Sequence, residues 1–115
     1  MEQSIKKREP IGDGISICVS EAHTFGTDAI LLANFAAPRK TDTACDLGTG
    51  CGIIPLLWCR GDAPKKAFGV DIQPEAISLA EKSIEENNLY EKFSVVLSDI
   101  LELKGKLPFG SFQLV

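Results

Sequence analysis

The chain has 115 residues, a net charge of −4, 44% hydrophobic and 24% charged residues, which suits one small globular domain over residues 1–115 and excludes a disordered or fibrous chain. The acidic balance excludes a strongly electrostatic nucleic-acid footprint within the chain. Apolar runs interrupted by Asn34, Pro38 or Arg60 exclude a membrane-spanning helix, and "MEQSIKKREP" lacks the apolar stretch of a secretory signal, so a cytoplasmic protein is expected.

In chain order, Asp13-Gly14 is a turn signal, and the alternation of Ile15, Ile17 and Val19 after it predicts a short N-terminal hairpin. The segment "FGTDAILLANFAAP" predicts a helix with Thr27 or Asp28 as its cap, Ile30, Leu31, Ala33 and Phe35 as its apolar side, and Pro38 as its stop. "TACDL" reads as a short buried strand. The following "CGIIPLLWC" reads as a helix whose start is fixed by Pro55, since proline is tolerated only in the first turn. "KAFGVDI" predicts a second buried strand, "QPEAISLAEKSIEENN" a helix with Ile77, Ala80 and Ile84 on one face, and "KFSVVLSDI" a third strand. "LPFGSFQLV" opens what looks like a fourth. Strands alternating with helices predict an α/β fold with a parallel sheet joined by right-handed crossovers.

The four cysteines form no C-x-x-C pair, and the single His23 cannot complete a zinc site, so reduced packing thiols and no metal are expected. Cys51, near a helix start, could have a depressed pKa, but no partner base stands near it in sequence. Trp58, Phe35 and Phe68 are expected in the core.

The stretch that carries chemistry is "ACDLGTGCG", in which Gly48, Gly50 and Gly52 alternate between a strand and a helix. A sharp strand-to-helix turn needs positive φ, a ligand against it needs backbone without Cβ atoms, and the new helix presents free N–H groups. A tight turn without a ligand would use the same residues. The second strand, however, ends in Asp71, 23 residues after Gly48, close to the roughly 20 at which an acid bonds ribose hydroxyls in this architecture. With Asp46 and Asp99 it makes three acids at the carboxyl ends of successive strands, the edge where open α/β sheets bind ligands. Capping of the next helix is the plainer role for Asp71. Dinucleotide sites want a third glycine where Ile53 stands, and a pyrophosphate is a poor guest among acids; a cationic nucleoside fits better.

In order and spacing, "ACDLGTGCG", "GVDIQPEA" and "LSDI" resemble the first three motifs of class I S-adenosylmethionine-dependent methyltransferases. "GTDAILLA" resembles the helix before motif I in the bacterial tRNA (adenine-N6) methyltransferases that act near the anticodon of a valine tRNA. The resemblance implies a Rossmann-like sheet and S-adenosylmethionine as cofactor. It implies that Gly48, Gly50 and Gly52 underlie the methionine and ribose, and that Asp46 steadies the loop and the methionine amino group. By the same resemblance Asp71 takes the ribose hydroxyls, Ile72 flanks the adenine, Asp99 and the Ile100 backbone meet the adenine edge, and Thr27 and Asp28 line the methionine end. His23 gains no role.

Enzymes of that branch carry Asn-Pro-Pro-Tyr after the fourth strand, and this sequence has none. The expectation is therefore a cofactor-binding N-terminal part, its sheet truncated after about the fourth strand, inactive alone and prone to self-association through an apolar edge at Phe112, Leu114 and Val115. A tRNA is the substrate expected for the complete enzyme. Protein-glutamine and small-molecule acceptors stay open, as do a nicotinamide-dependent oxidoreductase and a non-catalytic nucleotide-binding module.

Overall fold

Two glycine-rich turns and three short apolar strands set the architecture of the structure, a computed structural model that describes residues 7–61 and 63–99. Asp13 and Gly14, with φ of 53° and 78°, turn β1 (Lys7–Gly12) back into β2 (Ile15–Val19) as an antiparallel hairpin, as the sequence predicts. The remaining elements are α1 (Thr27–Ala36), β3 (Thr43–Leu47), α2 (Ile53–Trp58), β4 (Lys66–Asp71), α3 (Pro74–Glu86) and β5 (Phe93–Leu97). Strands β3, β4 and β5 form a parallel sheet in that spatial order, with Asp46 beside Gly69 and Asp71 beside Leu97. The expected fourth strand and the edge at Phe112, Leu114 and Val115 lie outside the described residues.

Alternation along the strands gives the sheet two apolar faces. Ala44, Ala67 and Phe93 lie in a core with Leu56 and Trp58 of α2 and Leu79 and Ile84 of α3. On the opposite face Cys45 and Val70 pack with Phe68 and Val96. The hairpin is held to α3 by polar contacts: buried Ser83 Oγ accepts from Cys18 N at 2.8 Å, and the Asn87 side chain bonds both the N–H and the C=O of Ser16. A side-chain amide thus substitutes for a neighbouring strand and satisfies backbone that burial would otherwise strand.

Two expectations about α1 are corrected. Its N-cap is Gly26, in extended conformation, and neither Thr27 nor Asp28 makes a side-chain capping bond. Its apolar side is largely not core: Ala33 is buried and its carbonyl accepts from Trp58 Nε1 at 3.2 Å, but Leu31, Leu32 and Phe35 are exposed, Phe35 at 87%. The physical reason is position. The helix packs mainly on α2, its principal partner among the described elements. Trp58 is buried and Phe68 half-buried, as expected.

Candidate cofactor site

The loop between β3 and α2 has to leave the sheet and reverse into a helix within five residues, and Gly48, Gly50 and Gly52 do so at φ of 74°, 58° and 90°. The loop is tied to the neighbouring strand end. Gly48 N and Thr49 N both donate to Val70 O, at 2.7 and 2.8 Å, and Gly50 N donates to Asp71 Oδ2 at 2.9 Å. The three glycines are not equivalent. A Cβ at Gly48 or Gly50 would meet nothing within 4 Å, so both border open space, whereas one at Gly52 would stand 3.3 Å from Ala80 Cβ and the Phe93 ring. Gly48 and Gly50 therefore leave room for a ligand, and Gly52 lets α2 approach α3 and β5.

Asp71 ties three segments together. Its Oδ2 holds the glycine loop, its Oδ1 accepts from Gln73 N at 2.9 Å just before α3, and its carbonyl accepts from Ser98 N at 3.0 Å beyond β5. The ligand and helix-end readings of this acid are thus not exclusive: each oxygen uses one lone pair on backbone and retains another.

A cleft of about 310 Å³ opens against these groups, lined by Gly48, Val70, Asp71, Ile72, Gln73, Ser98 and Asp99. That is at the small end of the roughly 300–1,000 Å³ typical of small-molecule sites. The structure brings Gly48, Asp71, Ile72 and Asp99 together there, with Ile72 61% exposed as an apolar flank. Asp46, Gly50 and Gly52 lie in the adjoining strand end and loop without lining the cleft. Thr27 and Asp28 are exposed at the start of α1 and do not line it either, while Ile100 is outside the described residues. A larger cleft of about 370 Å³ between α3 and β5, lined by residues such as Glu81, Tyr90 and Val95, contains neither the glycine loop nor a strand-end acid.

Asp46 is half-buried, and desolvation pushes its carboxyl up to about 6; the nearby Thr49 hydroxyl opposes that shift and the charge of Asp71 adds to it. A carboxylate with so little solvent gains much from an adjacent cation. Burial instead pushes the thiols of Cys45, Cys51 and Cys59 up to about 11. They are protonated packing groups, and Cys51 does not gain the depressed pKa of a helix-start nucleophile. His23 closes a turn through its backbone with Ser20.

Sequence reasoning passed over Thr49, Gly69, Gln73 and Ser98. The signal for one was present: a glycine two residues before the strand-end acid. A Cβ on Gly69 would lie 2.8 Å from Thr49 Oγ1 and Cγ2, so Gly69 is bare because the loop's threonine rests on it.

An open glycine turn, a half-buried acid and a cleft with two further acids fit an adenosine bearing positive charge, and comparison with known proteins agrees. Residues 38–115 match the family model described as "Methyltransferase domain", about two thirds of the chain. The chain belongs to this methyltransferase family, and its cofactor is S-adenosylmethionine. It is 33% identical over 81% of its length to a Methanocaldococcus jannaschii protein provisionally named as a protein N5-glutamine methyltransferase, of which it covers 46%. It is 32% identical over 66% of its length to the tRNA1(Val) (adenine(37)-N6)-methyltransferase of Histophilus somni, covering 33% of that protein. Among solved structures, TrmK of M. capricolum in complex with S-adenosyl-homocysteine aligns with a TM-score of 0.62 at 22% identity, over 76% of this chain and 37% of that one. The chain thus spans less than half the length of these relatives.

Proposed function

We propose that the protein is the cofactor-binding part of an enzyme that methylates N6 of an adenine in tRNA. The observation that carries the cofactor half is the convergence of Gly48, Asp71, Ile72 and Asp99 on one cleft. S-adenosylmethionine supplies an electrophilic methyl group on a sulfonium. The chain's own residues bind and orient: Asp71 offers its free lone pairs to the ribose hydroxyls, Ile72 covers one face of the adenine, and Asp99 meets its edge. Asp46 balances the positive charge from behind the glycine loop, which Gly48 and Gly50 keep free of Cβ atoms. Orientation of this kind is the main service a methyl transfer asks of a protein.

The acceptor assignment is supported by the likeness to the Histophilus somni enzyme and by "GTDAILLA" upstream of the glycine loop. A protein-glutamine acceptor is the second reading, supported by the likeness to the Methanocaldococcus jannaschii protein. A cytoplasmic location of the complete protein goes with either reading. No helix of the described residues is long and apolar enough to cross a membrane.

The test is transfer of labelled methyl from S-adenosylmethionine to unmodified tRNA and, in parallel, to glutamine-containing peptides. It compares this chain with one extended to the length of its relatives. The expected result is N6-methyladenine in tRNA digests from the extended chain and none from the 115-residue chain. Label on glutamine would move the function to the second reading, and robust transfer by the short chain would overturn the division of labour proposed here.

A further inference from the structure

We propose that Thr49 is a positioning residue, its side-chain hydroxyl reserved as the hydrogen-bond donor to Asp46 in its ionised form, the form that the positive end of the cofactor calls for. The inference rests on the cofactor reading above and names a residue through which Asp46 acts.

Three observations carry it. Thr49 is 3% exposed, and its Oγ1 is the one buried side-chain oxygen or nitrogen among the described residues without a hydrogen-bond partner. A buried donor left unmade is costly, so native structures keep such groups for a reason. Second, the side chain is not free to seek another partner. Its backbone N–H is fixed to Val70 O at 2.8 Å, and its branched side chain lies on Gly69, where even a methyl group would come within 2.8 Å of both Oγ1 and Cγ2. Third, the hydroxyl sits close enough to Asp46 to favour its charged form, though outside hydrogen-bonding geometry. The other titratable groups set against Asp46 are Asp71, whose charge opposes ionisation, and the protonated Cys45 beside it on β3. Thr49 is thus the neutral donor at a place where the nearest charge is repulsive. When Asp46 gives up its proton to solvent, a change that an adjacent cation favours, a small movement of the carboxylate completes the bond, and Gly69 supplies the bare floor that holds the donor in place.

The experiment uses Thr49→Val, which deletes the hydroxyl and keeps the branched shape, and Thr49→Ser, which keeps the hydroxyl and drops the methyl. Thr49→Ala repeats the deletion should the valine variant not fold. Two readouts are followed from about pH 5 to about pH 8: calorimetric affinity for S-adenosylmethionine, and the carbon-13 shift of the Asp46 carboxyl in the ligand-free chain. Loss of a hydrogen bond to a charged group should lower affinity near pH 7 roughly tenfold or more and move the Asp46 midpoint up by about one unit. Thr49→Ser should stay within about twofold of the parent. A folded Thr49→Val or Thr49→Ala chain that titrates and binds like the parent, or a serine variant as impaired as the valine one, overturns the proposal. If the parent chain bound no S-adenosylmethionine, the cofactor reading would fail by itself, and the ligand-free titration would still decide what Thr49 does to Asp46.

Discussion

Asp46 combines two properties, partial burial and a second acid close by. With a folded pKa near 6 against an ordinary value of 3.8, the folded chain keeps a proton that the unfolded chain has released. Below about pH 4 both states hold that proton; stability falls as pH rises through the window and the cost is complete above about pH 6, on the order of 3 kcal/mol. Binding a cation runs the other way, because it needs the carboxylate. S-adenosylmethionine should therefore bind more weakly as pH falls below about 6, approaching tenfold per unit, and Asp46→Asn should flatten that dependence. Calorimetry over that range checks it; a parent chain with no slope would show that Asp46 does not face the cofactor's charge. Asp71 makes a different demand, because its carboxylate holds both Gly50 and Gln73. Asp71→Ala should cost about 1–3 kcal/mol of stability as well as affinity, since two backbone donors lose their acceptor. Asp71→Asn, which keeps one acceptor oxygen, should lose affinity with less loss of stability, as measured by denaturation and calorimetry side by side.

At the scale of the elements, the glycine loop separates binding from packing. Gly50→Ala adds a methyl to open space at φ of 58°, a left-handed conformation that alanine adopts at modest cost, so its main effect should be on cofactor affinity. Gly52→Ala adds it at φ of 90° and 3.3 Å from Ala80 and Phe93, so it should destabilise the chain by about 1–3 kcal/mol. Equal melting temperatures for the two variants would contradict this division. The strands, α2, α3 and the cleft acids were legible in the sequence because each rests on local rules: alternation, a proline in a first turn, an acid closing an apolar run. Thr49 on Gly69 was not, since that contact joins a loop to a neighbouring strand and depends on the register that sets Asp46 beside Gly69. The exposure of α1 escaped for a similar reason. A helical apolar stripe says that a face is to be covered, and nothing local says by which element.

Across the described residues the helices differ in how they meet the sheet. Helix α3 packs on β4 and β5, α2 also touches β4, and the main partner of α1 among the described elements is α2. Leu31, Leu32 and Phe35 consequently meet solvent as a contiguous apolar stripe, the kind of surface that marks an interaction or association site. The 115-residue chain should self-associate with rising concentration, and Phe35→Ser should reduce that association in sedimentation without lowering the melting temperature, because an 87% exposed ring contributes little packing. A monodisperse parent chain would show that the stripe is tolerated in water.

The central claim is that the carboxyl edge of β3, β4 and β5 is a site for S-adenosylmethionine. Isothermal calorimetry of the chain with S-adenosylmethionine, S-adenosylhomocysteine and NAD in parallel tests it most directly. Saturable one-site binding of the two adenosyl ligands is expected, with about 2.7 kcal/mol of stabilisation when ligand stands near 100 times its dissociation constant. No saturable binding of NAD is expected. Binding of NAD with no response to either adenosyl ligand would contradict it.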